Sequence, residues 1–114
     1  MLGRASRLPR IRIADLLKEL RRPRPSYAWR SPYFIIVPSP NNIGHNRFAV
    51  IVSKRVAKGS ARRHDLKRQF IARLREWPNK RKDFLIIASP RLNELTKADF
   101  PKELERARAR LLKG

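Results

Sequence analysis

Nearly every apolar run in this chain is short and closed by proline, and that punctuation restricts the fold to brief strands and helices. Pro23 and Pro25 follow Ile13–Leu20, Pro32 follows Ser26–Trp29, and Pro38 follows Tyr33–Val37. Pro78 follows the segment ending at Trp77, and Ser89-Pro90 follows Asp83–Ala88. Proline has no N–H to donate and disfavours helical geometry in the residue before it, so each is a natural terminus. The longest apolar runs, such as Phe34–Val37 and Phe84–Ala88, are far too short to cross a bilayer.

Between these stops the periodicity alternates. Ile13, Leu16, Leu17 and Leu20 recur at helical spacing, with Lys18 and Glu19 turned away. Ser26–Trp29 reads as a short strand, Tyr33–Val37 as a buried strand ending at Pro38, and Arg47–Ser53 as a strand rich in β-branched residues. The turn formers Pro40-Asn41-Asn42-Ile43-Gly44 read as a hairpin loop between the last two. Leu66, Phe70, Leu74 and Trp77 make one apolar helix face, and Asp83–Ala88 is another continuous apolar strand. Thr96 with Asp99 resembles a capping box, opening a helix with the stripe Phe100, Leu104, Ala107 and Leu111. Pro101 fits there because it falls near the first turn.

The order α-β-β-β-α-β-α predicts an α+β fold. It is a small sandwich in which a mostly antiparallel sheet packs against helices. The 114 residues make one domain, with residues 1–7 expected to be a disordered basic tail. At 41% apolar the chain has material for a core, and without cysteine it has neither disulfides nor thiolate metal sites. A cytoplasmic protein is the expectation. The Arg-rich first residues loosely resemble a transit peptide, but Asp15 and Glu19 follow at once.

Charge narrows the function. Lys and Arg number 29 against 9 Asp and Glu, a net of +20. Residues 1–82 hold 22 basic and 4 acidic residues, while residues 83–114 hold 7 and 5. Such an excess repels itself, and binding a polyanion relieves the repulsion while releasing counterions. Nucleic acid is therefore the expected partner, ahead of an anionic membrane.

The cations are densest in Ser53–Arg68, where Lys54, Arg55, Lys58, Arg62, Arg63, Lys67 and Arg68 occupy seven of 16 positions. This run leaves a strand and enters the first turns of an amphipathic helix, whose unpaired N–H groups and positive dipole end favour phosphate. Arg63 and Lys67 are four apart and project from one side. His64 reads as a phosphate-contacting or helix-start residue. A catalytic or zinc role for His64-Asp65 lacks further ligands, since the other histidine is His45 in a loop. Four glycines supply no phosphate-cradling loop, and Ser53 has no partnered base.

The stretch RFAVIVSKRVAKGSARRHDLKR resembles the signature of bacterial ribonuclease P proteins, in which R-x-G-x-x-V-S-K-K leads through a basic loop to R-N-R-x-K-R. Arg47 to Val52 match the strand, and Ser53, Lys54 and Arg55 match its end. Arg63, Leu66, Lys67 and Arg68 match the helix. His64 and Asp65 depart from it, and Asp65 is expected to pair with Arg62 or Arg68. KDFLIIASPRLNELTKADFPKELERARARLL resembles the family's last strand and helix, and Ala14-Asp15-Leu16 through Leu20 its first helix. The resemblance spans roughly residues 8–112.

The resemblance implies a left-handed β-α-β crossover. It also implies an accessory subunit of an RNA-based endonuclease that removes the 5′ leader of precursor tRNA. Lys54, Arg55, Lys58, Arg62, Arg63, His64, Lys67 and Arg68 would bind ribonuclease P RNA. Leu16, Leu20, Ile35, Val37 and Ser53 would form the leader cleft. The partner RNA would carry the catalysis and its Mg2+, with no metal held by the protein, which is expected to be monomeric within the holoenzyme. Leu16, Leu20 and Val37 stand where members of the family carry aromatics, leaving Tyr27, Trp29 and Tyr33 as candidates to compensate. The main alternative is a ribosomal or other structural RNA-binding protein without a role in cleavage. A DNA-binding module lacks a helix-turn-helix pair or zinc-finger spacing, and a standalone metal nuclease lacks the ligands.

Overall fold

The computed structural model describes residues 3–21 and 28–112. Pro23, Pro25, Tyr27 and the start of the expected Ser26–Trp29 strand lie outside the described residues. The elements are α1 (Arg10–Leu20), β1 (Trp29–Arg30), β2 (Phe34–Pro40), β3 (Arg47–Ile51), α2 (Ser60–Leu74), β4 (Lys82–Ala88) and α3 (Asp99–Leu111). Short 3-10 turns cover Arg4–Ser6 and Pro90–Glu94. In the basic segment expected to be a disordered tail, the first of these turns leads to Arg7, which bridges Phe48.

The sheet runs β1-β2-β4-β3, with β1–β2 and β2–β4 antiparallel and β3–β4 parallel. The expected hairpin is therefore absent: residues 40–44 connect β2 to β3, but β4 lies between them. Asp83–Ile86 explain why. All four are buried, as suits a strand paired on both edges and covered on both faces. A strand this apolar left at an edge would expose its side chains. β3–α2–β4 is accordingly a crossover between neighbouring parallel strands.

β2 also runs through Pro38 to Pro40 instead of stopping at Val37. The Phe34 carbonyl accepts from Ser31 N–H on the β1 side, and the Tyr33 carbonyl accepts from Ser89 on the β4 side. Pro38 and Pro40 share the parity of Phe34, so their missing donors face the side away from β4. That is the position in which a strand tolerates proline.

Alternation divides the core in two. Phe34, Ile36, Phe48, Phe84, Ile86 and Ala88 join Leu66, Phe70, Leu74, Phe100, Leu104 and Ala107 in the larger cluster, between the sheet and α2 and α3. Its rings interlock: Phe34–Phe70 and Phe70–Phe100 meet edge to face at 5.4 and 5.0 Å, and Phe48 stacks on Phe84 at 5.6 Å. The smaller cluster, on the other face, packs Leu16 of α1 against Leu8, Val37 and Leu85. The start of α3 follows the expected cap, with Thr96 Oγ1 accepting from the Asp99 N–H at 3.0 Å. Among the described residues, no helix is long and apolar enough to cross a membrane.

Candidate nucleic-acid interface

The basic loop between β3 and α2 is held from inside. Val56 is buried in the larger core, and its carbonyl accepts from Asn93 Nδ2 at 2.8 Å. The Val56 and Ala57 N–H groups both donate to the Ser53 carbonyl. Lys54, Arg55 and Lys58 are exposed on this braced loop. Gly59 caps α2 without a side-chain hydrogen bond, and the first turn contains no acid, so the helix start keeps its positive end.

The expected RNA-binding residues then separate by role. Arg63 is half-buried and donates from Nη1 to the Ala57 and Lys58 carbonyls at 3.0 and 2.6 Å, tying the helix back to the loop. Asp65 pairs with Arg62 at 3.3 Å and Arg68 at 3.6 Å, and accepts from Gln69. Both ion pairs are exposed, the class of pair worth about 0–1 kcal/mol. His64 is exposed, and Lys67 is half-buried one turn beyond Arg63.

On the opposite face, the strand registers define three rows. Ser39, Asp83 and Arg47 form the first; Val37, Leu85 and Ala49 the second; Arg30, Ile35, Ile87 and Ile51 the third. Leu16 and Val37, two expected cleft residues, are 1% and 0% exposed, Leu16 on α1 and Val37 on the sheet beneath it, and both are sealed in the smaller cluster. Leu20 and Ile35 are half-buried, together with Ile13, Leu17, Ala49, Ile51 and Ile87. Ser53 is exposed where the third row's edge meets the basic loop. Trp29 and Tyr33 pack against the larger core instead, so neither supplies an aromatic to the α1 face.

The first row contains a buried ionic hub. Asp83, with no exposure, accepts from Arg12 Nε at 2.8 Å, from Arg47 Nε and Nη2 at 2.8 and 2.9 Å, and from Asn41 Nδ2 at 2.8 Å. Burial alone would raise the Asp83 pKa, but hydrogen bonds from Arg47, Arg12 and Asn41, with the charge of Arg47, hold it below the ordinary value. The hydrogen bond to Asp83 in turn raises Arg47, against its own burial. Arg12 also donates to Ser39 Oγ and the Pro40 carbonyl, so the hub fastens the first turn of α1 to the sheet. The sequence motifs contained no sign of it, because its members come from four separate segments.

The family model described as Ribonuclease P matches residues 17–112. The chain belongs to the ribonuclease P family. The match covers all four strands, the basic loop, α2 and α3, and reaches into α1 only from Leu17 on. The ribonuclease P protein of Staphylococcus aureus is similar in structure, with a TM-score of 0.71 at 19% identity, over 91% of this chain and 93% of that one. A mutant of the S. aureus protein with defective mRNA degradation activity gives 0.71 at 20% identity, over 90% and 85%. The ribonuclease P protein of Thermotoga maritima, in complex with 1-(4-fluorophenyl)-2-thiourea, gives 0.56 at 22%, over 92% and 94%. These likenesses show that the fold is shared. Among curated proteins, no sequence matches the chain.

Proposed function

We propose that this protein is the RNA-binding subunit of ribonuclease P, acting in cleavage of the 5′ leader from precursor tRNA. Membership of the ribonuclease P family supports the assignment to that ribonucleoprotein. The observation that carries the finer reading is a junction. A braced cationic loop and an uncapped helix start adjoin a half-open apolar row on the α1 face, with Ser53 and Lys54 between them.

Lys54, Arg55 and Lys58 hold phosphates of the catalytic RNA, with His64, Lys67 and Arg68 continuing that contact along α2. Arg63 keeps the loop in shape, and Arg62 shares its charge with Asp65. The α1 face takes the single-stranded leader. The protein contributes electrostatics: it lowers repulsion between two RNAs and orients the substrate. Among the described residues, no three His, Asp or Glu side chains converge on a metal position. Magnesium held by the folded RNA would supply the Lewis-acid chemistry of hydrolysis. One copy of the protein, in the cytoplasm, serves each holoenzyme.

The test is precursor tRNA cleavage at low magnesium by a ribonuclease P RNA from the same source, with and without the protein. Rescue at the mature 5′ end, dependent on that RNA and lost when Lys54, Arg55 and Lys58 are replaced by alanine, is the expected outcome. Tight RNA binding without rescue would assign the protein to a structural RNA-binding role.

A further inference from the structure

We propose that the loop between α2 and β4 is a second phosphate-binding site, in which Arg75, Lys80 and Arg81 hold the backbone of RNA at the end of the sheet opposite the basic loop. The inference rests on the RNA-binding reading above and adds a site to it.

The two loops are built alike. Val56 roots the basic loop in the larger core, and Asn93 holds its carbonyl. Trp77 roots the second loop, buried with its ring edge-on to Phe84 at 5.3 Å. Asn46 Nδ2 then holds the next carbonyl, that of Pro78, at 3.0 Å. Side-chain amides fix the rest of the turn. Buried Asn46 accepts from the Lys80 and Lys82 N–H groups through Oδ1 at 3.0 and 3.2 Å. Asn79 Oδ1 accepts from the Arg81 N–H at 3.0 Å, while its Nδ2 donates to the Gly44 carbonyl. The Asn41 N–H donates to the Arg81 carbonyl at 3.1 Å.

This clamp holds Arg81 at a φ of 55°, the one non-glycine residue at positive φ among the described residues. Left-handed backbone is disfavoured for a residue with a Cβ, and glycine would fit the turn with less strain. The arginine side chain gives the fold nothing in exchange. It is exposed and takes part in no hydrogen bond or ion pair among the described residues. Lys80 and Arg75 are exposed and unpaired in the same sense, and Arg75 lines one cleft with Asn79, His45 and Trp77. Of the nearest acids in sequence, Asp83 is enclosed by its hub and Glu76 lines clefts toward α3. Three cations without partners on a fixed turn suit a polyanion, which removes their mutual repulsion. The length of α2 separates the two loops by about 20 Å, more than two Debye lengths at physiological salt, so each binds phosphates of its own.

The test follows two affinities against salt: that of the protein for its ribonuclease P RNA, and that of the holoenzyme, at saturating protein, for precursor tRNA. Arg75→Ala, Lys80→Ala and Arg81→Gly together should weaken one of them at least about tenfold and flatten its log–log slope by roughly 2 to 3. A loss in the first assigns the site to the catalytic RNA, and a loss in the second to the precursor. Arg81→Gly alone should weaken the same affinity about three- to tenfold. It should not lower the urea midpoint, since glycine adopts positive φ readily. Unchanged affinities and slopes in the triple variant, alongside a loss on replacing Lys54, Arg55 and Lys58, would overturn the second site and keep the RNA-binding reading. No loss from either set would remove that reading as well.

Discussion

The two faces of the sheet are built from different materials. On the α2 and α3 side, rings from three strands and two helices interlock, and nearly everything is sealed. On the α1 side, Leu16 of the helix seals three buried aliphatic residues, a row of isoleucines stays half-open, and an ionic hub fastens the helix at one end. The contrast teaches a division of labour. One face supplies most of the hydrophobic stabilisation, which leaves the other free to keep an apolar surface accessible. The basic loop belongs to both, since Val56 is rooted in the sealed core while Lys54, Arg55 and Lys58 stand outside it.

The most severe way to break this contrast is from the sealed side. Phe70→Ala removes a fully buried ring in contact with both Phe34 and Phe100, and should cost about 3–5 kcal/mol in urea unfolding. Leu16→Ala, on the α1 side, should cost about 2–3 kcal/mol, because the smaller cluster relaxes more readily around the gap. A larger loss at Leu16 than at Phe70 would reverse the division.

Breaking the hub tests the link between the faces. Asp83→Ala strands Arg12 and Arg47 and should cost about 3 kcal/mol, at the low end for a broken buried pair because Arg12 is partly in water. Its pH dependence has a definite sign. The folded pKa of Asp83 is depressed, so its stabilisation is present above the ordinary carboxylate pKa of about 4 and is lost as pH falls through the folded value. The stability gap between the unaltered protein and Asp83→Asn should therefore narrow below about pH 4, as followed by urea titrations at several pH values. A gap that widens in acid would show that Asp83 acts otherwise.

The exposed cations should show the opposite profile, with little effect on stability and a clear effect on binding. Replacing Lys54, Arg55 and Lys58 with alanine should change unfolding free energy by no more than about 0.5 kcal/mol. The same change should flatten the log–log salt dependence of RNA binding by roughly 2 to 3. The smallest expected effect is a gain. Asp65→Asn releases Arg62 and Arg68 from exposed pairs and should tighten RNA binding by at most about fivefold.

What was legible in the sequence was local. The helix faces at Leu66–Leu74 and Phe100–Leu111, the Thr96 cap and the basic junction all follow from spacing over a few residues. Asp65 does pair with Arg62 and Arg68, as three-residue helical neighbours allow. What failed was long-range. The turn formers at 40–44 are real, but a turn does not say which strand its arms pair with, and β4 enters from more than thirty residues later. Pro38 reads as a strand end because sequence does not reveal which way its missing donor points. The Asp83 hub and the place of Arg30 in a cross-strand row depend on pairing that no motif encodes. Leu16 and Val37 were legible as apolar but not as sealed together in one cluster, since burial there is set by where α1 crosses the sheet.

The division of the two faces is tested most directly by photocrosslinking within the holoenzyme. A photoreactive side chain replaces Ile87, in the open row, or Ala109, exposed on α3. The account predicts that the 5′ leader of precursor tRNA crosslinks at position 87 and not at 109. Leader crosslinks at 109, or none at 87 in a holoenzyme that still cleaves its substrate, would contradict it.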